Sequence, residues 1–337
     1  MMIVEGRMKI KIIKIDKENF LRVKNGEIGK LFLPILISIL LFTIGQIINP
    51  GFASLQNIGN IFAIAGILTI ASTGQTLVII SGNYNIDLSV GALMSMGAVL
   101  GSGLLRGLDK NIFLTFVVII GIGGFFGFII GSSIHWMSIP ALVMTLSMVS
   151  VIDGFTLAIS KGRPYGSAAP FLLKIGGNRI FGWFRVLSII TIVLVVIVTI
   201  ILTRTRYGKK LFLIGNNRMA AKVSGIKIGT LVIATFILSG VMGAVSGIFL
   251  LSMVGTAQIQ MGASYTMLSV AAVVLGGTQL SGGKGSYIGT LFGSIVFVTL
   301  TNVLISIGMK QGVRLIITGL VLVMILGAYS RQPRLRQ

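Results

Sequence analysis

The sequence predicts an all-α polytopic membrane protein of about ten transmembrane helices, and three observations carry that prediction. Of 337 residues, 54% are hydrophobic and only 10% charged, against about 25% charged in a soluble domain. So few charges cannot cover a water-facing surface. Apolar runs of about 20 residues, the length a helix needs to cross a hydrocarbon core ~30 Å thick, recur along the chain. Finally, the 28 Lys and Arg gather at the ends of those runs: eight in residues 1–30, seven in 204–227 and three in the last seven. That is the distribution of a positive-inside topology with attraction to membrane lipid, not of a nucleic-acid surface.

Residues 1–30 are basic and lack an apolar core followed by a small-residue cleavage site, so they read as a cytoplasmic N-terminal segment and not as a signal peptide. A transmembrane domain at 31–329 follows. Its ten spans have cores at 31–48, 58–80, 88–105, 112–134, 139–159, 186–203, 228–254, 265–279, 286–308 and 312–329. Span 3 begins inside a polar stretch, and span 8 is short and interrupted by glycine. With the N-terminus inside, six spans return the chain to the cytoplasm at 204–227, its most basic internal loop. Four more place the tail at 330–337 inside as well. The loop 160–185 then falls outside, although it carries Lys161, Arg163, Lys174, Arg179 and Arg185. Its two prolines and several glycines predict a folded external cap.

Small residues recur at four-residue spacing in the spans: Gly97/Gly101, Gly123/Gly127/Gly131, Gly243/Gly247 and Gly289/Gly293. Such stripes let helix backbones approach closely in lipid, where hydrophobicity no longer drives association. A polar, Gly-containing break before a small-residue helix occurs at 81–101 and again at 276–293. Paired broken segments in two halves are a pointer to transporter architecture.

Enzyme chemistry finds no foothold. There are no cysteines, one histidine (His135, read as interfacial beside Trp136), and no GxxxxGK[ST] loop to cradle phosphates. Gly-Gly-Lys-Gly at 282–285 lacks both the first-Gly spacing and the hydroxyl residue after Lys. No catalytic residue, metal site or cofactor is therefore expected in this chain.

Three segments stand out instead. In SGNYNIDLSVG (81–91), Asn85, Asp87 and Ser89 interrupt apolar sequence, and Asp87 is one of only seven acidic residues. A carboxylate at membrane depth costs about 2.5–3.5 kcal/mol on insertion scales. The economical reading is that Asp87 or Ser89 caps the following helix, with the carboxylate favoured by the helix dipole; contact with a transported solute is the sharper alternative. IGNNRMAAKVSGIKIG (214–229) is polar and basic, and Arg218 to Val223 reads as a short helix ended by Gly225. The small residues Ala220, Ala221, Ser224 and Gly225 suit a helix lying flat against another protein; an ordinary basic loop is the alternative. VLGGTQLSGGKGSYIGT (274–290) holds Gly276, Gly277, Thr278, Gly282 and Gly283 in a tight non-helical passage. Such backbone is tolerated at membrane depth only where it is buried in protein or lines a cavity.

Taken together, N-I-D-L-S-V-G (85–91), I-P-A-L-V-x-T-L (139–146), G-N-N-x-x-A-A-x-x-S-G-I (215–226) and V-L-G-G-T-x-L-x-G-G-x-G (274–285) resemble the permease subunits of bacterial ABC sugar importers, the ribose/xylose/autoinducer-2 type, over about 55–328. The resemblance implies a type II-importer-like permease domain in the cytoplasmic (inner) membrane that moves a monosaccharide-type solute by alternating access. It implies three kinds of partner: cytoplasmic ATP-binding subunits that hold ATP and Mg²⁺, a second permease copy or homologue, and an extracytoplasmic sugar-binding protein. By the same resemblance Asn216, Asn217, Arg218, Ala220, Ala221, Ser224 and Gly225 belong to a coupling helix that docks on the ATPase. Three positions depart from the family pattern: Met219 stands where an acidic residue is usual, Asp153-Gly154 where Arg-Gly is usual, and Asn85 where Gly is commoner. An uncharged polyol wants hydroxyls and amides along its path more than charges, which suits the scarcity of intramembrane charge. A permease for branched-chain amino acids or nucleosides shares the broad architecture. An ion-coupled secondary carrier is the alternative of another class, and it would need ionisable relays in the spans.

Overall fold

A computed structural model describes residues 17–163 and 166–330. Most of the expected N-terminal segment (1–16) and of the tail (331–337) lies outside the described residues. A helix stands at each of the ten predicted positions. In chain order these are α1 (Lys17–Ile48), α2 (Leu55–Ile80), α3 (Val90–Leu105), α4 (Ile112–Trp136), α5 (Ala141–Ser160), α7 (Val186–Arg204), α10 (Ile228–Val254), α11 (Ala263–Leu275), α12 (Tyr287–Ser306) and α13 (Gln311–Ser330). Between them lie α6 (Pro170–Gly177), α8 (Arg206–Asn216), α9 (Arg218–Val223) and a two-residue hairpin, β1 (Arg179–Ile180) with β2 (Phe184–Arg185).

Seven segments are long and apolar enough to cross a membrane: 31–48 of α1, α2, 109–136, α5, α7, α10 and α12. The chain is thus a multi-pass membrane protein. Among the described residues α3 and α11 are shorter apolar helices, and α13 is apolar over 311–325. With 16 and 13 residues, α3 and α11 extend about 24 and 20 Å at 1.5 Å per residue, short of a ~30 Å core. Seven full-length candidates, α13 and the two short helices α3 and α11 thus stand at the ten predicted positions. Helices α3 and α11 are short because irregular chain, 81–89 and 255–262, occupies the rest of their path.

The bundle is organised around α10, which packs on α2, α3 and α4, while α12 packs on α1, α2 and α11. The predicted small-residue stripes make these contacts. A methyl group added at Gly123, Gly127 or Gly131 of α4 would lie 2.6, 2.3 and 2.8 Å from Gly240 O, Phe236 O and Ile233 Cα of α10. One at Gly97 would meet Ala244 O at 2.0 Å, and one at Gly293 would meet Ala272 O at 2.1 Å. Only glycine permits these backbones to touch, and dispersion between them replaces the hydrophobic drive that lipid removes. Gly101 is the exception, with nothing nearer than 3.6 Å.

Each end of the bundle has its own set of loops. At one end the last turn of α2 meets the loop 276–286 and the end of α8, where Gly283 N donates to Ile80 O at 3.0 Å. At the other end 106–111, 161–185 and Gly255 join, through Gly107 N to Ser167 O (3.2 Å) and Ala168 N to Gly255 O (2.9 Å). The loop 160–185 is folded, as expected. Arg185 pins it by donating to Asn60 Oδ1 (2.9 and 3.0 Å) and Gly176 O (2.5 Å), and Asp109 Oδ1 accepts from Phe171 N in the first turn of α6 (2.8 Å). One of the five cations in this loop thus has a structural task.

Candidate functional site

After Ile80 the chain turns through three successive left-handed residues, Gly82, Asn83 and Tyr84 (φ +78°, +62°, +54°). It then re-enters the bundle through 85–89. Asn85 is buried, and its Nδ2 donates to Ser81 Oγ at 3.3 Å. Asp87 is fully buried. One carboxylate oxygen, Oδ1, accepts from Ser89 N (2.9 Å) and Ser89 Oγ (2.5 Å). The other accepts from Ser239 Oγ on α10 (2.6 Å), while the Asp87 N–H donates to Gln75 Oε1 on α2 (3.3 Å). Ser239 lies eleven residues into α10, about 17 Å from its start at 1.5 Å per residue. The carboxylate therefore sits deep in the bundle, held by hydroxyls and one backbone donor.

This corrects the capping expectation. Ser89 is the N-cap residue of α3 but gives it no side-chain cap; its hydroxyl is spent on Asp87. An orphan donor of the first turn, Gly91 N, is met instead by Thr266 Oγ1 of α11 at 3.2 Å. Reciprocally, Gly262 N at the start of α11 donates to Ser95 Oγ of α3 at 3.0 Å. Two short helices thus begin beside one another inside the bundle, both turning partial positive charge to the same place. Asp87 is the carboxylate nearest in sequence to the start of α3. Residues 255–262 thus form a second break that leads into α11 as 81–89 leads into α3, beside the 276–286 passage that packs directly on 81–89. The sequence reading left 255–264 as an ordinary connection between spans 7 and 8, and Ser239, Gln75 and Thr266 carry no signature that separates them from packing hydroxyls and amides. Asp153, the departure noted on α5, accepts from Gln260 Nε2 at 3.2 Å, so it faces this second break.

The loop 276–286 is a packed glycine junction. Gly277, Gly282 and Gly283 have φ of +87°, +92° and +70°. A methyl on Gly283 would lie 2.3 Å from Asn216 Oδ1, and one on Gly282 2.2 Å from Gly82 Cα. Gly276 abuts Gly289 in the same manner. Thr278 is buried with its hydroxyl unpartnered. The segment ties the end of α2, the 81–89 break and α8 into one unit.

On that unit sits α9. Asn217 Oδ1 accepts from Ala220 N (3.0 Å) and caps it, Ser224 Oγ donates to Ala220 O (2.8 Å), and Gly225 at φ +74° ends it. Asn216 is the last residue of α8 and packs on Gly283. Within α9 Ala221 is fully buried against the chain itself, while Met219 (72% exposed) and Val223 (88%) point outward with Ala220 and Ser224. The expected docking face therefore loses Ala221 and gains Met219 and Val223. Partial burial lowers the pKa of the Arg218 guanidinium. That of Arg185 is lowered by burial first and by Arg179 second.

Known proteins share this pattern. Residues 57–326 match the family described as branched-chain amino acid transport system / permease component. A ribose import permease protein of Bacillus subtilis is 34% identical over 293 residues, covering 86% of this chain and 89% of its own. A ribose import permease protein of Haemophilus influenzae is 32% identical over 287 residues (83% and 88%). An autoinducer 2 import system permease protein of Yersinia enterocolitica is 31% identical over 315 residues (93% and 84%). No solved structure matches the chain.

Proposed function

The chain belongs to the branched-chain amino acid transport system / permease component family, and on that premise we propose that it is the membrane-spanning subunit of an ATP-driven importer for a monosaccharide-type solute. Chemistry on ATP belongs to separate subunits, which bind ATP and Mg²⁺. The names of its relatives, ribose and autoinducer 2 permeases, favour a small polyhydroxylated cargo over the amino acid in the family's description. That description keeps a branched-chain amino acid permease as the second reading.

The observation that carries the proposal is α9. It is a capped helix that presents Met219 and Val223 to solvent from the unit formed by α8, the end of α2 and the glycine junction. An exposed apolar pair on a rigid helix is what a helix-in-groove partner reads. Force applied there reaches Asp87 and α10 through contiguous packing. In this reading α9 lies on the cytoplasmic face, the termini lie on the same face, and ten helices contribute to crossings of the inner membrane. The folded 160–185 cap then meets an extracytoplasmic sugar-binding protein, and a second permease copy completes the pathway. Binding and hydrolysis of ATP favour one of two access states.

The test is co-purification and vesicle uptake with the partner ATPase. Val223→Asp and Met219→Asp each remove an exposed apolar contact worth about 1–2 kcal/mol at the centre of an interface, so each is expected to weaken the complex about tenfold and to lower coupled uptake. Ala221→Arg instead disrupts the seating of α9 in its own chain. Solute uptake by the chain without any ATPase, or a complex indifferent to both outward substitutions, overturns the proposal.

A further inference from the structure

A cavity of about 750 Å³ opens at the α8–α9 end of the bundle, between the turn after α2, the α4–α5 connection, α9 and the start of α10. Its lining holds Arg218, Lys222 and Lys227 with His135, Asn83 and Asn85, and no carboxylate. Two helices begin at its wall, α5 at Ala141 and α10 at Ile228. Neither N-cap residue, Pro140 or Lys227, supplies a side-chain cap, so first-turn N–H groups of both helices are without side-chain partners. Arg218 Nε is buried and has no hydrogen-bond partner. Three basic residues and two helix N-termini without a side-chain N-cap therefore line one space that no carboxylate lines.

We propose that this cavity binds a phosphate-bearing anion. A guanidinium matches two phosphate oxygens at once, and helix N-termini turn N–H groups and partial positive charge toward such an ion. The volume lies within the range of small-molecule sites, large enough for a phosphate with the group it esterifies. Trp136 stands beside His135, 68% exposed and edge-on to Phe128 at 6.2 Å, and an exposed tryptophan at a helix end marks the membrane interface. Basic pockets at that level take anionic head groups. A phosphodiester of a membrane lipid and a soluble phosphate ester offer the same chemistry. The proposal concerns binding by this chain alone and stands whether or not the transport reading does.

Purified full-length chain carrying Trp183→Phe keeps Trp136 as its one tryptophan. Its fluorescence is followed in nanodiscs of phosphatidylcholine with and without phosphatidylglycerol, and in detergent on titration with inorganic phosphate against chloride at equal ionic strength. Native mass spectrometry counts retained lipid. A saturable response to phosphatidylglycerol alone assigns the site to lipid, and a response to phosphate alone assigns it to a soluble ester. Arg218→Gln with Lys227→Gln is expected to weaken whichever response is seen about tenfold or more, each basic residue near an anionic head group contributing about a factor of five. Lys209→Gln with Lys210→Gln, basic positions outside the cavity lining, is expected to leave it unchanged. If the first pair does not fold, Lys227→Gln alone, at an exposed residue, carries the test with about a fivefold effect. Indifference to both probes, or an equal loss in the two pairs, overturns the proposal.

Discussion

Residues 81–89 and 255–262 both lead into a short helix that starts inside the bundle, yet they are finished differently. The first is buried over most of its length, and its carboxylate accepts three hydrogen bonds from two elements. The second is mostly half-buried or exposed; Gln260 donates to Asp153 of α5 at 3.2 Å, and its last residue, Gly262, donates to Ser95 Oγ of α3 at 3.0 Å. Equivalent backbone problems have thus been given a fixed solution at one place and a loose one at the other. A buried polar network that is fully satisfied rigidifies its surroundings, whereas exposed bonds open locally at little cost. Of the two breaks, 81–89 is the more firmly held and 255–262 the more loosely held.

The largest effect expected from this contrast is at Asp87. Asp87→Ala leaves Ser89 N and the Ser239 and Ser89 hydroxyls without their acceptor, and is expected to cost about 3 kcal/mol or more, read as loss of folded protein in detergent. Asp87→Asn, which keeps the shape and an acceptor, is expected to cost under about 1 kcal/mol; equal damage by both would make charge, and not hydrogen bonding, the reason for the carboxylate. Next comes a matched pair. Ser239→Ala is expected to cost about 1–2 kcal/mol, and Gln260→Ala less than about 0.5 kcal/mol, as for a surface site. Equal costs in thermal unfolding would erase the distinction. The smallest signal is in amide exchange, where 256–262 is expected to exchange faster than 86–91; the reverse order would refute the looser holding of 255–262.

Much of the architecture was legible in the sequence because apolar run length and small-residue spacing are local properties. All ten helical positions, the α9 helix with its Gly225 stop, and the glycine passage at 276–286 follow from residues within about a dozen positions of one another. The family resemblance rested on the same local motifs, and the match over 57–326 agrees with it. What stayed hidden is long-range. Ser239 is 152 residues from Asp87, and Thr266 is 175 from Gly91, so nothing in the composition of either stretch points to the other. The misplacement of Ala221 has a similar cause: small residues at helical spacing show that a face is closely packed, but not whether the neighbour is another protein or the rest of the same chain.

The reciprocal bonds between α3 and α11 also bear on how the protein is made. A nascent chain that has delivered α2 to α5 to the membrane holds Asp87 and Gly91 N, but neither Ser239 nor Thr266 has yet been synthesised. Asp87 then has only its local Ser89 donors and Asp153 lacks Gln260, and the remaining partners arrive with α10 and α11 some 107 to 175 residues later. The first half is therefore incomplete as a folding unit until the second half is present. A chain truncated before α10 is expected to lack the Ser239 and Thr266 partners that steady the finished bundle.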